Sequence, residues 1–253
     1  MSIGAIIIGL LTGFISAFFG IGGSSIDTPL LRVFLHVPDY IALGSPLPTA
    51  LLTIAIALTV YWKKHLVNYH ILKWSLAGGI PGIIFGAYLS GKFSGLFLML
   101  FSALVLFFVG VNFVYKRFRS AEINQNYQAQ KPISASYIIF VAFIASSISG
   151  ILANGGGLLL IPAYVLLFKL KIKEAIATSL LTVAAMFIPA FFIHYSLGHI
   201  DLGISVAMAI GVIPMAYIGA KTNLETKSNT IQLLFGLMLI IFSIYFFISQ
   251  LWG

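Results

Sequence analysis

Two glycine-rich interruptions hold most of the chemistry this chain can offer. They are Gly20-Ile21-Gly22-Gly23-Ser24-Ser25 and Asn154-Gly155-Gly156-Gly157, and each cuts an otherwise apolar run. Where a helix breaks, the backbone N–H groups opening the next half-helix are unpaired, and together they make a partial positive end suited to an anion. The candidate donors are Gly22, Gly23, Ser24 and Ser25 in one place, and Asn154, Gly155, Gly156 and Gly157 in the other. Glycine lets a ligand approach the backbone closely, while Ser and Asn add neutral hydrogen bonds. The competing reading is one long tilted helix whose glycines serve close packing.

A second polar group follows each interruption. Ser45 and Thr49 lie in Gly44-Ser45-Pro46-Leu47-Pro48-Thr49, and Thr178, Ser179 and Thr182 lie in Ala177-Thr178-Ser179-Leu180-Leu181-Thr182. These hydroxyls read either as N-caps that satisfy orphan N–H groups or as ligands facing a central site. Asp27 is the acid nearest a break. An ionisable residue inside a membrane is a functional candidate by default, here for coupling or gating, with Arg32 beside it to pair or to attract anions. The local alternative for Asp27 is a capping box with Ser24. His194, His199 and Asp201 read as solvated loop residues, although histidine titrates near neutrality. Ser147-Ile148-Ser149-Gly150 lacks the leading glycine of a membrane serine-protease motif. With no HExxH, P-loop or clustered metal ligands, the sequence reads as a non-enzyme without metal or cofactor.

The elements that position these residues follow from composition. The chain has 253 residues, 60% of them apolar and only 8% charged, with a mean hydropathy of +1.07. A soluble domain has about 25% charged residues, so water is not this chain's main solvent. Soluble-enzyme and nucleic-acid-binding classes are excluded on that ground. The net charge of +8 fits Lys and Arg gathered in cytoplasmic loops. Cysteine is absent, which removes disulfides and thiolate chemistry. The N-terminal MSIGAIIIGL has no basic region and does not read as a cleaved signal peptide.

Six apolar stretches have spanning length: 41–62, 71–89, 96–114, 175–195, 202–220 and 233–251. A transmembrane helix needs about 20 residues. The two interrupted stretches, 3–36 and 137–168, are too long for one upright span and too short for two. Broken backbone at that depth is tolerated where it is buried in protein or lines a wet cavity. The polar run 117–136 reads as a cytoplasmic linker between a first repeat, 1–116, and a second, 137–253.

Those halves align at a constant offset of 133. Gly22, Gly23 and Pro29 meet Gly155, Gly156 and Pro162; Gly78, Pro81 and Gly86 meet Gly211, Pro214 and Gly219. Matches of Gly and Pro carry more weight than Leu or Ile pairs in so apolar a chain. If both interrupted segments are re-entrant, one side collects Lys63, Lys64, Lys73, Lys116, Arg117, Arg119, Lys131, Lys169, Lys171, Lys173, Lys221 and Lys227, and the other Arg32 and Lys92. If every segment crosses, the basic residues divide evenly. The positive-inside rule selects the first arrangement. Each half then crosses three times, which inverts the second relative to the first. The expected fold is an all-α polytopic membrane protein, an inverted repeat of two halves, each a Gly-broken segment plus three transmembrane helices. Inverted repeats with discontinuous helices are a recurring plan of secondary transporters.

The pattern GFISAFFGIGGSSIDTPLL followed by ALGSPLPTAL, and SISGILANGGGLLLIPAYVL followed by AIATSLLTVA, resembles the sulfite exporter TauE/SafE family of membrane permeases over nearly the whole length. The resemblance implies movement of sulfite or an organosulfonate across the cytoplasmic membrane, generally outward, driven by an ion gradient. It also implies a homodimer. Departures are Ser24 where the second half keeps a third glycine, Ser45-Pro46 against Thr178-Ser179, and Asp27, which the general pattern does not contain. The partners expected are a small anion and membrane lipid, with no nucleic acid. Two rival functions stay open at this stage: a passive anion channel, and a cation or metal permease with Asp27, His194 and Asn154 as ligands.

Overall fold

A computed structural model describes residues 2–90, 95–119, 133–151 and 157–251, and among these the regular structure is helical throughout. The first half contains α1 (Ser2–Phe19), α2 (Ser24–Leu35), α3 (Asp39–Gly44), α4 (Pro46–Trp62), α5 (Tyr69–Ser90) and α6 (Gly95–Arg119). The second contains α7 (Ala135–Ile151), α8 (Gly157–Leu166), α9 (Ile172–Ser196), α10 (Leu202–Glu225) and α11 (Ser228–Leu251). Among the described residues, four helical stretches are long and apolar enough to cross a membrane: Tyr40–Trp62, Ile172–Ser196, Leu202–Glu225 and Ser228–Tyr245. Many large apolar side chains face outward, among them Phe108, Phe140, Phe192 and Ile241. A lipid-facing surface accounts for them, because hydrocarbon imposes no penalty on such groups.

Both interrupted segments fold back as helical hairpins. The end of α2 returns to the start of α1, where Leu35 lies over Gly4. The end of α8 returns to the start of α7, where the rings of Tyr137 and Phe168 meet at 5.8 Å. Both pairs stand at equivalent positions, 133 residues apart. Each returning helix also ends alike. His36 and Lys169 take left-handed backbone, with φ of 51° and 54°. The next N–H closes back on the helix, Val37 onto Leu31 O at 3.2 Å and Leu170 onto Tyr164 O at 3.0 Å. In both, an N–H just past the left-handed residue bonds a carbonyl six residues back, which satisfies an otherwise orphaned helix-end carbonyl. The first break is therefore a turn between two helices that fold back on each other and not the kink of a single long helix.

The helices that follow pack reciprocally. In one layer α1 lies along α10, and in another α7 lies along α5. Small residues allow both approaches. A Cβ on Gly78 would strike the carbonyl oxygen of Ile139, and one on Gly211 would strike that of Ile6. These two contacts are again 133 residues apart. Lipid gives no hydrophobic drive for helix association, so close backbone approach supplies the dispersion energy instead. Pro81 and Pro214 sit three residues beyond these glycines inside α5 and α10. Each removes one helical hydrogen bond and marks a site of bending. The last helices of the halves, α6 and α11, run antiparallel: Ser243 Oγ donates to Ala103 O at 2.7 Å, and Phe113 meets Phe235 at 5.4 Å.

Basic connections gather at one end of the bundle. Tyr61 OH donates to Ala17 O at 3.0 Å, Lys173 Nζ to Leu224 O at 2.6 Å, and His70 approaches Ile133 O at 3.1 Å. These bonds bring the 62–69, 169–173 and 221–227 connections to the end where α7 starts. Lys73 also lies there, 5.2 Å over the Trp74 ring.

Candidate functional site

The first break occupies Gly20–Gly23, between the end of α1 and the start of α2. Its three glycines all have positive φ: 74° at Gly20, 84° at Gly22 and 88° at Gly23. Residues with a Cβ adopt such backbone only under strain, so the turn dictates the glycines. Gly23 occupies the N-cap position of α2 and supplies no side-chain cap. Ser24 is thus the first residue of the helix and Asp27 the fourth, which removes the capping-box reading of Asp27. The Ser24 N–H turns to Gly22 O at 3.2 Å, and the Ile26 N–H to Gly23 O at 2.9 Å.

Helices of the second half enclose this turn. A Cβ at Gly22 would lie 2.9 Å from Val183 and 3.3 Å from Phe187. Ser179 Oγ donates to Gly20 O at 3.3 Å. The opening residue of α8 completes the enclosure, since a Cβ at Gly157 would stand 2.6 Å from Ile21 O and 2.8 Å from Ile21 C. The start of the second returning helix therefore abuts the turn that begins the first. Asn154, Gly155 and Gly156 lie outside the described residues, as does the side chain of Ser25.

The hydroxyls divide into two kinds. Ser45 and Thr178 bridge the halves. Ser45 Oγ accepts from Asp201 N at 2.9 Å, and Thr178 Oγ1 accepts from Asn68 N at 3.0 Å. Asp201 in turn caps α10 by accepting from Ile204 N at 3.0 Å, and Asn68 accepts from Ile71 N at 3.0 Å. These residues pair at the same offset as the repeat. Neither hydroxyl caps its own helix: Ser45 makes no cap bond to α4, and Thr178 lies inside α9, whose first residue is Ile172. They tie each half to the next helix of the other. Ser179, Thr49 and Thr182 are the hydroxyls nearer the breaks. Thr49 Oγ1 donates to Pro46 O at 2.9 Å. Thr182 Oγ1 donates to Thr178 O at 2.8 Å and meets Tyr164 OH at 3.2 Å.

This division predicts different behaviour on mutation. Ser45→Ala and Thr178→Val each leave a part-buried N–H without its partner, which costs about 1 kcal/mol. Thermal unfolding in detergent should report that loss, while the folded fraction keeps its apparent affinity for the transported anion. A changed affinity with unchanged stability would make them ligands instead.

Asp27 is 2% exposed. Its carboxyl takes a side-chain hydrogen bond with Thr12, and its Oδ1 has no partner. Among the described residues no other charged side chain is buried. Arg32 is exposed, one turn further along α2, so it belongs to the surface end of the hairpin. Sequence reasoning missed two polar residues here. Ser16 on α1 and Asn223 on α10 are fully buried. Asn223 Nδ2 donates to Phe18 O at 2.7 Å, securing the last turn of α1 just before the break. Ser16 was visible as a polar residue one turn from Thr12 within an apolar run, whereas Asn223 lies in the polar stretch Lys221–Glu225, where nothing in the pattern sets it apart.

His194, His199 and Asp201 are not free loop residues. The two ring Nδ1 atoms approach to 3.2 Å, Tyr40 stacks on His199 at 5.0 Å, and Asp201 is the cap just described. No group of three or more His, Cys, Asp or Glu side chains converges among the described residues. The metal-permease ligand set also needs Asp27 and His194 in one place. Asp27 packs under Gly23 within the first hairpin, whereas His194 pairs with the loop beyond α9.

An all-helical chain with lipid-type surfaces, several spanning helices and buried re-entrant hairpins defines a polytopic membrane protein. The family described as Sulfite exporter TauE/SafE matches residues 5–246, and the chain belongs to that family. Relatives of similar length span nearly all of it. The probable membrane transporter protein YunE of Bacillus subtilis (strain 168) is 26% identical, over 93% of each chain. The probable membrane transporter protein YjnA of the same organism is 23% identical, over 95% of this chain and 98% of its own. The probable membrane transporter protein MJ0441 of Methanocaldococcus jannaschii is 24% identical, over 90% of this chain and 89% of its own. No solved structure matches the chain. The protein is a multi-pass membrane transporter.

Proposed function

We propose that this transporter exports a small sulfur oxyanion or organosulfonate across the cytoplasmic membrane, coupled to an ion gradient. The observation that carries the reading is the meeting of the start of α8 with the Gly20–Gly23 turn. It brings two half-helix N-termini, both positive dipole ends, to one buried place. Gly22, Gly23, Ser24, Ser25 and Asn154–Gly157 would supply N–H and side-chain donors there, and the hydroxyls of Ser179, Thr49 and Thr182 would turn from the backbone carbonyls they serve to donate to the anion. Neutral donors suit an exporter, because a fixed buried cation would hold the anion too tightly to release it. Asp27 and Arg32 would serve coupling or gating at the first hairpin.

The halves would form an inverted repeat. Two observations support it: equivalent helices α6 and α11 are antiparallel, and the equivalent contacts at offset 133 are reciprocal between the halves. With the basic end in the cytoplasm, both termini lie outside. A cysteine at position 2 and one replacing Lys171 should then label from opposite faces of sealed cells. Labelling from the same face would refute this orientation.

Reconstitution in liposomes tests the function. Charge movement is recorded on adding sulfite, sulfate, sulfoacetate and chloride, with and without an ion gradient. A response to sulfite or the sulfonate, with accumulation against a gradient, is expected. Equilibration without accumulation would make the protein a channel. Silence to every anion beside a response to a divalent metal would overturn the oxyanion reading.

A further inference from the structure

We infer that the first half alone carries a proton site, Asp27 seated against Thr12, so that one proton is bound and released per transport cycle. This rests on reading the protein as an ion-coupled transporter. The two halves agree at position after position, yet they differ in concert here. Thr12, Asp27 and Thr53 of the first half stand where the second has Ala145, Leu160 and Met186. All three first-half residues are buried, and so are all three second-half residues. Thr12 and Asp27 lie on the two arms of the first hairpin, whereas Thr53 lies on α4 with its hydroxyl on Thr49 O at 2.8 Å; the polar pair of the first hairpin is an apolar pair in the second.

The geometry assigns the pair a chemistry. Burying an ionised carboxylate without a partner is strongly unfavourable, and a proton removes the problem. Asp27 keeps one oxygen unpartnered in a place where no water-facing surface relieves it. Thr12 has one hydroxyl proton and two acceptors in reach, Ile8 O at 2.9 Å and the Asp27 carboxyl. With Asp27 ionised, that hydroxyl donates to it. With Asp27 protonated, the acid donates to Thr12 Oγ1 and the hydroxyl turns to Ile8 O. A single proton thus changes a bond between α1 and α2, the two arms of the hairpin whose turn faces α8. A metal cation would need several converging oxygens, and the neighbours described supply one hydroxyl.

The surrounding charges leave Asp27 to act alone. The α1 helix has no titratable side chain. On α4 the titratable group is Tyr61, whose OH is committed to Ala17 O. Asp39 and Tyr40 open α3, with Tyr40 stacked on His199. Arg32 lies exposed toward the end of α2. On α10, which packs beside Leu31, Lys221 and Glu225 are exposed and pair with each other at 4.0 Å.

The test has two arms. Infrared spectra of the purified protein in lipid should show the C=O stretch of a protonated carboxylic acid that comes and goes with pH. That band should be missing in Asp27→Leu, which copies Leu160, and in Asp27→Asn. The second arm uses vesicles with the voltage clamped at zero and methanesulfonate as the probe, since it is ionised throughout and carries no proton of its own. One pH unit coupled through one proton sustains about a tenfold concentration ratio. Wild type should reach that ratio, and folded Asp27 variants should exchange methanesulfonate without accumulating it. A folded Asp27→Leu or Asp27→Asn protein still driven by the pH gradient would overturn the proposal. So would an unchanged infrared band, or a sodium gradient replacing the proton gradient. If the band behaves as expected but no sulfonate moves, the proton site stands and the anion reading alone fails.

Discussion

Gly157→Val is expected to abolish transport. The added Cβ would lie 2.6–2.8 Å from the carbonyl oxygen, carbonyl carbon and Cα of Ile21, and backbone atoms cannot rotate aside as a side chain can. Overpacking of this kind costs about 1–3 kcal/mol, and the clash falls where the two returning helices meet. Relief would have to come from moving α8 away from the Gly20–Gly23 turn, which separates the two groups of donors. Uptake into vesicles should fall to the level of protein-free controls, while thermal unfolding shows a smaller loss. Gly157→Ala should show the same direction more weakly. Wild-type transport by the valine variant would mean that the meeting of the breaks is not the site.

Gly78→Val and Gly211→Val should damage the protein equally, through stability. Each Cβ would strike a carbonyl oxygen of the helix alongside, Ile139 in one case and Ile6 in the other. The two glycines do the same work in the two halves. Each variant should lose about 1–3 kcal/mol and run as aggregate on size-exclusion chromatography in mild detergent. Val212, the neighbour of Gly211, is already buried against Gly13, so the interface has no slack to absorb a second branched side chain. A large asymmetry between the two variants would show that the reciprocal packing is not shared energetically.

The interrupted stretches show how far sequence carries. Adjacent glycines at matching offsets, with basic residues segregated by a re-entrant topology, were enough to expect hairpins at 3–36 and 137–168. Those signals are local or additive: a turn with φ near +80° favours glycine, and loop charge can be counted. The hydroxyls show where sequence stops. Ser45 and Thr178 are short polar residues near helix starts, which is equally compatible with a cap and a ligand. Their partners, Asp201 and Asn68, are 156 and 110 residues away. Nothing in a linear pattern names such a partner, because a hydroxyl accepts from whichever N–H the fold presents.

Asp27 makes the same point from the other side. Its oddity is readable, an acid with Leu160 as its counterpart, and so is the loss of Thr12 and Thr53 in the second half. What only the tertiary structure decides is that Thr12 reaches the carboxyl while its other oxygen is left bare. His194 and His199 were read as solvated and are instead paired beneath Tyr40, since a loop's exposure depends on which helix end comes to rest upon it. By itself the sequence determined the solvent, the helical class and the first break, all of which follow from composition and backbone preference. The fold decided which polar atoms tie the halves together and which remain unpartnered, because that depends on distances between segments far apart in the chain.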